Sequence, residues 1–170
     1  MEFGIIPPVR TGVTADPTWM RDFAQLVEGC GFESIVAVEH AVVIGDYTSR
    51  YPYAASGRMP LPDDCAIPDP IDLLAFLAAV TERVTLATGV LVVPNHQPVV
   101  LAKRIATLDV LSQGRVRMCL GIGWMEEELR ATGADPRTRG RRMDETIEAM
   151  RALWADSGPA GATFAGEFVS

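Results

Sequence analysis

Hydrophobic and polar positions follow two different rhythms along this chain. Short apolar runs, most of them rich in β-branched residues, read as buried strands: Glu2 to Ile6, Ser34 to Val38, Val84 to Val93 and Val116 to Ile122. Between them, apolar residues recur at steps of three and four, the spacing of a helix with one buried face. Trp19, Phe23, Leu26, Val27 and Cys30 form the first such stripe, opened by Asp16-Pro17 and closed by Gly29 to Gly31. Ile71, Leu74, Leu77 and Ala78 form the second, behind Asp69-Pro70. Leu101, Ile105, Leu108 and Leu111 form the third, stopped by Gln113-Gly114. A short acidic helix over Met125 to Thr132 ends at Gly133, and Met143, Ile147, Met150, Leu153 and Trp154 mark a longer one. Ser157 to Gly161 reads as a loop, and Phe164 to Ser170 as the start of a new extended run.

Val84 to Trp124 is strand, helix, strand with short joints, a βαβ unit of right-handed crossover and parallel strands. The rest of the chain repeats it, so a parallel sheet covered by helices is expected. The pattern admits an open doubly wound sheet or part of a (β/α)8 barrel. No G-x-G-x-x-G follows the first strand, which leaves a Rossmann site unsupported, and Gly121-Ile122-Gly123 alone does not define a phosphate loop. Ala41 to Asp69 has neither rhythm. A loop of that length inside a domain is commonly a functional lid or disordered. Tyr47, Tyr51 and Tyr53 argue for order, because disordered segments are poor in aromatics.

Composition narrows the class. The chain has 170 residues, 48% of them hydrophobic, enough for a globular core. No apolar run is long enough to span a bilayer, and MEFGIIPPVR lacks a secretory leader pattern. A formal net charge of -7 argues against a nucleic-acid partner. Cys30, Cys65 and Cys119 have no metal-like spacing and read as reduced thiols, so a cytoplasmic protein acting on a small molecule is expected.

Five segments carry a resemblance. They are Glu39-His40 after the second strand, DPIDLLAFLAAVTERVTLATGVLVVP, LAKRIATLDVLSQGR, GIGWMEEEL and RGRRMDETIEAMRALW. Together they resemble the bacterial luciferase-like monooxygenase family, specifically its coenzyme F420 (deazaflavin) dependent oxidoreductase branch. The resemblance implies a TIM (β/α)8 barrel, with the cofactor at the C-terminal ends of the strands. It implies hydride transfer between F420 and a small organic substrate. An FMN-dependent monooxygenase using oxygen is the alternative, and a non-catalytic fragment needing a partner half to fold is another. A TIM barrel takes about 250 residues. Residues 1–170 supply four of its eight strands and read as one partial domain, the N-terminal half. Two sheet edges left open predict a homo-oligomer.

The resemblance also assigns roles. His40 becomes a proton donor or base, and Glu39, standing where the family often has aspartate, its companion. Thr88, Gly89 and Val90 fall where relatives carry a bulge, often with a non-proline cis peptide, behind the flavin ring. Gly121, Gly123 and Trp124 end the fourth strand against the cofactor, with Glu127 and Asn95 as polar neighbours. Outside those roles, Glu126 to Glu128 read as a solvated face and His96 as a surface residue at the helix start. Asp109 and Arg115 read as a structural ion pair. Arg137, Arg139, Arg141 and Arg142 read as a solvated helix start or a contact for an anionic cofactor tail.

Overall fold

Aspartates set the first two helices. Asp16 accepts the N–H groups of Thr18 and Trp19 and opens α1 (Pro17–Gly29). Asp69 does the same for Ile71 and Asp72 at α2 (Pro70–Ala78). Each is followed by a proline whose missing N–H costs nothing in a first turn. These elements belong to a computed structural model that describes residues 1–155 and 161–169. The expected loop at Ser157 to Gly161 therefore falls, except for Gly161, outside the described residues, as does Ser170.

The strands β1 (Gly4–Ile5), β2 (Ser34–Ala37) and β3 (Thr85–Thr88) pair in parallel, and β5 (Val116–Arg117) joins β3 on its far side. A second parallel ladder joins β4 (Leu91–Val92) to β6 (Leu120–Gly121). The helices α1, α2 and α3 (Pro98–Ser112) bury Met20, Leu74 and Leu101 against Ile35, Leu86 and Leu91. The short α4 (Glu126–Ala131) and the longer α5 (Arg139–Trp154) follow the last strand. No helix among the described residues is long and apolar enough to cross a membrane.

Several expected elements shift. Val84 to Val93 is not one strand. Gly89 N–H makes a last bond to Ala37 of β2; beyond it the run stays beside residues 116–121 but slips register by one residue, Leu86 facing Val116 and Leu91 facing Leu120. Val116 to Ile122 divides for the same reason, around Met118-Cys119. The first strand shrinks to Gly4–Ile5, and its neighbours Phe3 and Ile6 are exposed. In α1 the buried stripe is Met20, Ala24 and Val27; Trp19 and Phe23 stack on one another at its flank, 4.9 Å apart, and Leu26 and Cys30 face solvent. In α3 the step of 3.6 residues places Ser112, not Leu111, behind Leu108. In α5 Met150 is buried, while Leu153 and Trp154 lie part-exposed and Trp154 Nε1 donates to Ala102 O at 3.0 Å. Residues 161–169 form neither helix nor strand; Glu145 accepts the N–H groups of Glu167, Phe168 and Val169.

Arg115 does not pair with Asp109, which is exposed. Its guanidinium instead donates to oxygens of Ala78, Thr81, Val84 and Ser112, tying the ends of α2 and α3 to the start of β3. A planar five-donor group suits a place where several carbonyls end together.

Candidate active site

The C-terminal ends of the strands converge on an open cleft of about 880 Å³. Val38, Glu39 and His40 enter it from β2, Gly89 and Val90 from β3, and Gly121 to Trp124 from β6. The long loop from residue 41 to residue 69 covers it with Arg50 to Tyr53 and Met59 to Leu61.

Glu39 and His40 are consecutive just past the end of β2, and their side chains find partners on different elements. Each finds a partner of the complementary kind. His40 Nδ1 lies 2.9 Å from Glu128 Oε2, while Glu128 Oε1 accepts Ala41 N–H at 2.6 Å and Val42 N–H at 3.4 Å. Glu39 Oε1 lies 2.6 Å from His96 Nε2, and its Oε2 accepts Val92 N–H. Both carboxylates are buried, with 7% of Glu39 and 3% of Glu128 exposed. A carboxylate only accepts, so Nδ1 of His40 carries the proton in its pair. That leaves Nε2, which has no hydrogen-bond partner among the described residues, as the nitrogen able to exchange a proton with a ligand.

The aromatic wall is Trp124. It meets His40, Tyr47 and Tyr51 edge-to-face, at ring distances of 6.0, 5.3 and 5.1 Å, and Tyr53 meets Tyr51 at 5.4 Å. Gly121 must be glycine, since a Cβ would come within 2.6 Å of Val90 Cγ2. Gly123 has φ +76°, a left-handed turn that aims Trp124 across the cleft mouth. The Gly89–Val90 peptide bond is cis. Thr88 is fully buried, and its hydroxyl donates to Cys119 O at 2.8 Å; it braces the strands and does not line the cleft.

Asn95 and Glu127 also lie off the cleft. Asn95 Oδ1 accepts the Thr132 hydroxyl at 2.9 Å, and its Nδ2 is buried without a partner. Glu127 holds the covering loop: it accepts the N–H and hydroxyl groups of both Thr48 and Ser49. Burial by itself would raise its pKa, but these donors outweigh it and hold the carboxyl at about 2, below the ordinary 4.5. The three glutamates are thus not one solvated face. Glu126 pairs with Arg130 on the surface, Glu127 anchors the loop, and Glu128 backs His40.

Of the four-arginine cluster, only Arg139 lines the cleft. Arg137 pairs with Asp135 and Arg141 with Glu167, while Arg142 Nε is buried without a partner. Sequence reasoning missed Glu128, His96, Arg10 and Arg50. One signal for Glu128 was present: Met125 and Leu129, four apart and buried, fix the inward face of α4, and position 128 adjoins it.

An α/β-barrel segment with a ligand cleft at the C-terminal ends of its strands is the class these features define. The chain matches the luciferase-like monooxygenase family over residues 1–170 and belongs to that family. An uncharacterised protein of Mycobacterium tuberculosis is 40% identical over 148 residues, 86% of this chain and 51% of the relative. The chain thus spans about half the length of that relative. Among solved structures, the oxygenating constituent of 3,6-diketocamphane monooxygenase from Pseudomonas putida, in complex with FMN, superposes with a TM-score of 0.70 at 24% identity, over 91% of this chain and 39% of that one. The coenzyme F420 dependent tetrahydromethanopterin reductase of Methanopyrus kandleri does so with a TM-score of 0.63 at 21% identity, over 99% and 43%. Both are likenesses of fold, in which this chain lines up with about two fifths of each neighbour.

Proposed function

We propose that the chain supplies one partial domain, the histidine-bearing half, of an oxidoreductase that moves a hydride between a deazaflavin, F420, and a small organic substrate. The observation that carries this reading is His40, fixed by buried Glu128 at the rim of a cleft walled by Trp124. The donor set fits the group. A deazaflavin has a flat ring and an anionic tail; the cleft offers aromatic rings and the guanidinium groups of Arg10 and Arg139. Glycines at 89, 121 and 123 let the strand ends that line the cleft pack closely on Val36, Val90 and Val92.

When bound, the deazaflavin supplies hydride chemistry, because carbon replaces the reactive ring nitrogen of a flavin. The protein binds, orients and exchanges one proton at Nε2 of His40. Glu128 keeps the imidazole in the tautomer that leaves Nε2 available, and Trp124 packs edge-on against the ring.

Spectroscopic titration of F420 and of FMN into the protein tests the reading. F420 is expected to bind more tightly. Tight FMN binding without F420 binding would move the protein to the oxygen-using branch of its family.

A further inference from the structure

We infer that the cleft contains a subsite for an organic anion with a flat apolar body, and that Arg50 recognises the negative charge. The inference rests on the cleft being the substrate site of the proposed oxidoreductase. Although the chain carries a net charge of -7, the uncommitted charge on this cleft is positive. Arg10, Arg50 and Arg139 all line it, and none of their guanidinium groups makes a hydrogen bond or ion pair among the described residues. Arg58, Arg104, Arg115 and Arg117, away from the cleft, are each bonded to protein oxygens. The two carboxylates that line the cleft, Glu39 and Glu128, have their oxygens taken by backbone N–H groups and histidines. An arriving anion meets cations and no free carboxylate.

Arg50 is also held in place. The two residues before it are clamped to Glu127, and the N–H of Tyr51 after it donates to Gly57 O at 2.8 Å. Its stem packs on Gly57, where a Cβ would come within 2.9 Å of Arg50 Cγ. With its backbone fixed on both sides and its stem held at Gly57, Arg50 presents an exposed guanidinium lacking a partner at the cleft, suited to a two-point contact with a carboxylate. The adjoining Tyr51, Tyr53 and Trp124 rings suit a planar apolar body. Arg139 comes from a different element, α5, and is left for the anionic tail of the cofactor.

A phosphate tail and a substrate carboxylate share this chemistry, so the test separates them. Benzoate and its neutral analogue benzamide are titrated into the 170-residue protein by ligand-detected NMR, alongside FMN and F420. The comparison covers the unaltered chain, Arg50→Gln and Arg50→Lys, with circular dichroism confirming that each variant is folded. Benzoate is expected to bind about tenfold or more tightly than benzamide. Arg50→Gln should abolish that preference and leave cofactor affinity unchanged, and Arg50→Lys should restore part of it. Equal binding of benzoate and benzamide overturns the subsite, as does a loss in Arg50→Gln confined to the cofactors, which would assign Arg50 to their phosphate. A benzoate preference lost in Arg50→Gln, with neither cofactor binding, supports the subsite while removing the redox reading.

Discussion

His40 and Glu128 meet across 88 residues of chain, and the pair is where a single substitution should register most. On the proposed chemistry, His40→Ala lowers the hydride-transfer rate by about 10²–10⁴-fold, because one positioned proton transfer contributes that much. Glu128→Gln is expected to lower it by about tenfold or more while changing cofactor affinity little, since the amide can no longer enforce one imidazole tautomer. Stopped-flow measurement at saturating cofactor reads both. Unchanged rates in the two variants would leave His40 a structural residue. The place of Glu39 and His40 at a strand end was legible in the apolar run before them, while their roles came from the family resemblance alone. Glu128 was not, because it stands in a run of three glutamates. Successive residues on a helix turn by 100°, so Glu126, Glu127 and Glu128 point in three directions, and the sequence's one clue to the inward one is the apolar pair Met125 and Leu129 beside position 128.

At the level of elements, the loop over the cleft depends on one side chain of α4. Ionised Glu127 binds Thr48 and Ser49, and its folded pKa of about 2 lies below the ordinary 4.5. The sign follows from that direction. The anchor is fully present above pH 4.5 and is lost as the pH falls from 4.5 towards 2. Limited cleavage within residues 41–69 by an acid-active protease should therefore rise across that window relative to cleavage elsewhere. Glu127→Gln should show the raised susceptibility already at neutral pH. A variant as resistant as the unaltered protein at neutral pH would show that other contacts hold the loop. Helices were legible here to their caps, since Asp16-Pro17 and Asp69-Pro70 state a boundary chemically. The breaks inside Val84 to Val93 and Val116 to Ile122 were not. Hydrophobicity continues through both runs, and what changes is the register between them, which a one-dimensional pattern does not carry.

For the whole molecule, alternation of strands and helices was enough to read a parallel sheet, and the family segments were needed to choose a barrel over an open sheet. The sheet order leaves β1 and β5 at its edges. Phe3 and Ile6 are exposed beside one edge, and beside the other a hollow of about 270 Å³ is lined by Val116, Met118, Leu120, Ile147 and Trp154. Free edges and apolar hollows are both templates for association. The 170-residue chain by itself is expected to form dimers or larger assemblies, by light scattering on freshly purified protein. A dispersed monomer that unfolds cooperatively would show that these edges are satisfied within one chain.

The bond from Thr48 to Glu127 spans 79 residues of sequence. A ribosome adds about 5–20 residues per second, so roughly 4–16 s pass between synthesis of the loop and of its anchor. The sheet can assemble in order behind the growing end, each strand beside one already made. The cover of the cleft cannot: it waits, with its tyrosines bare, for a helix not yet translated.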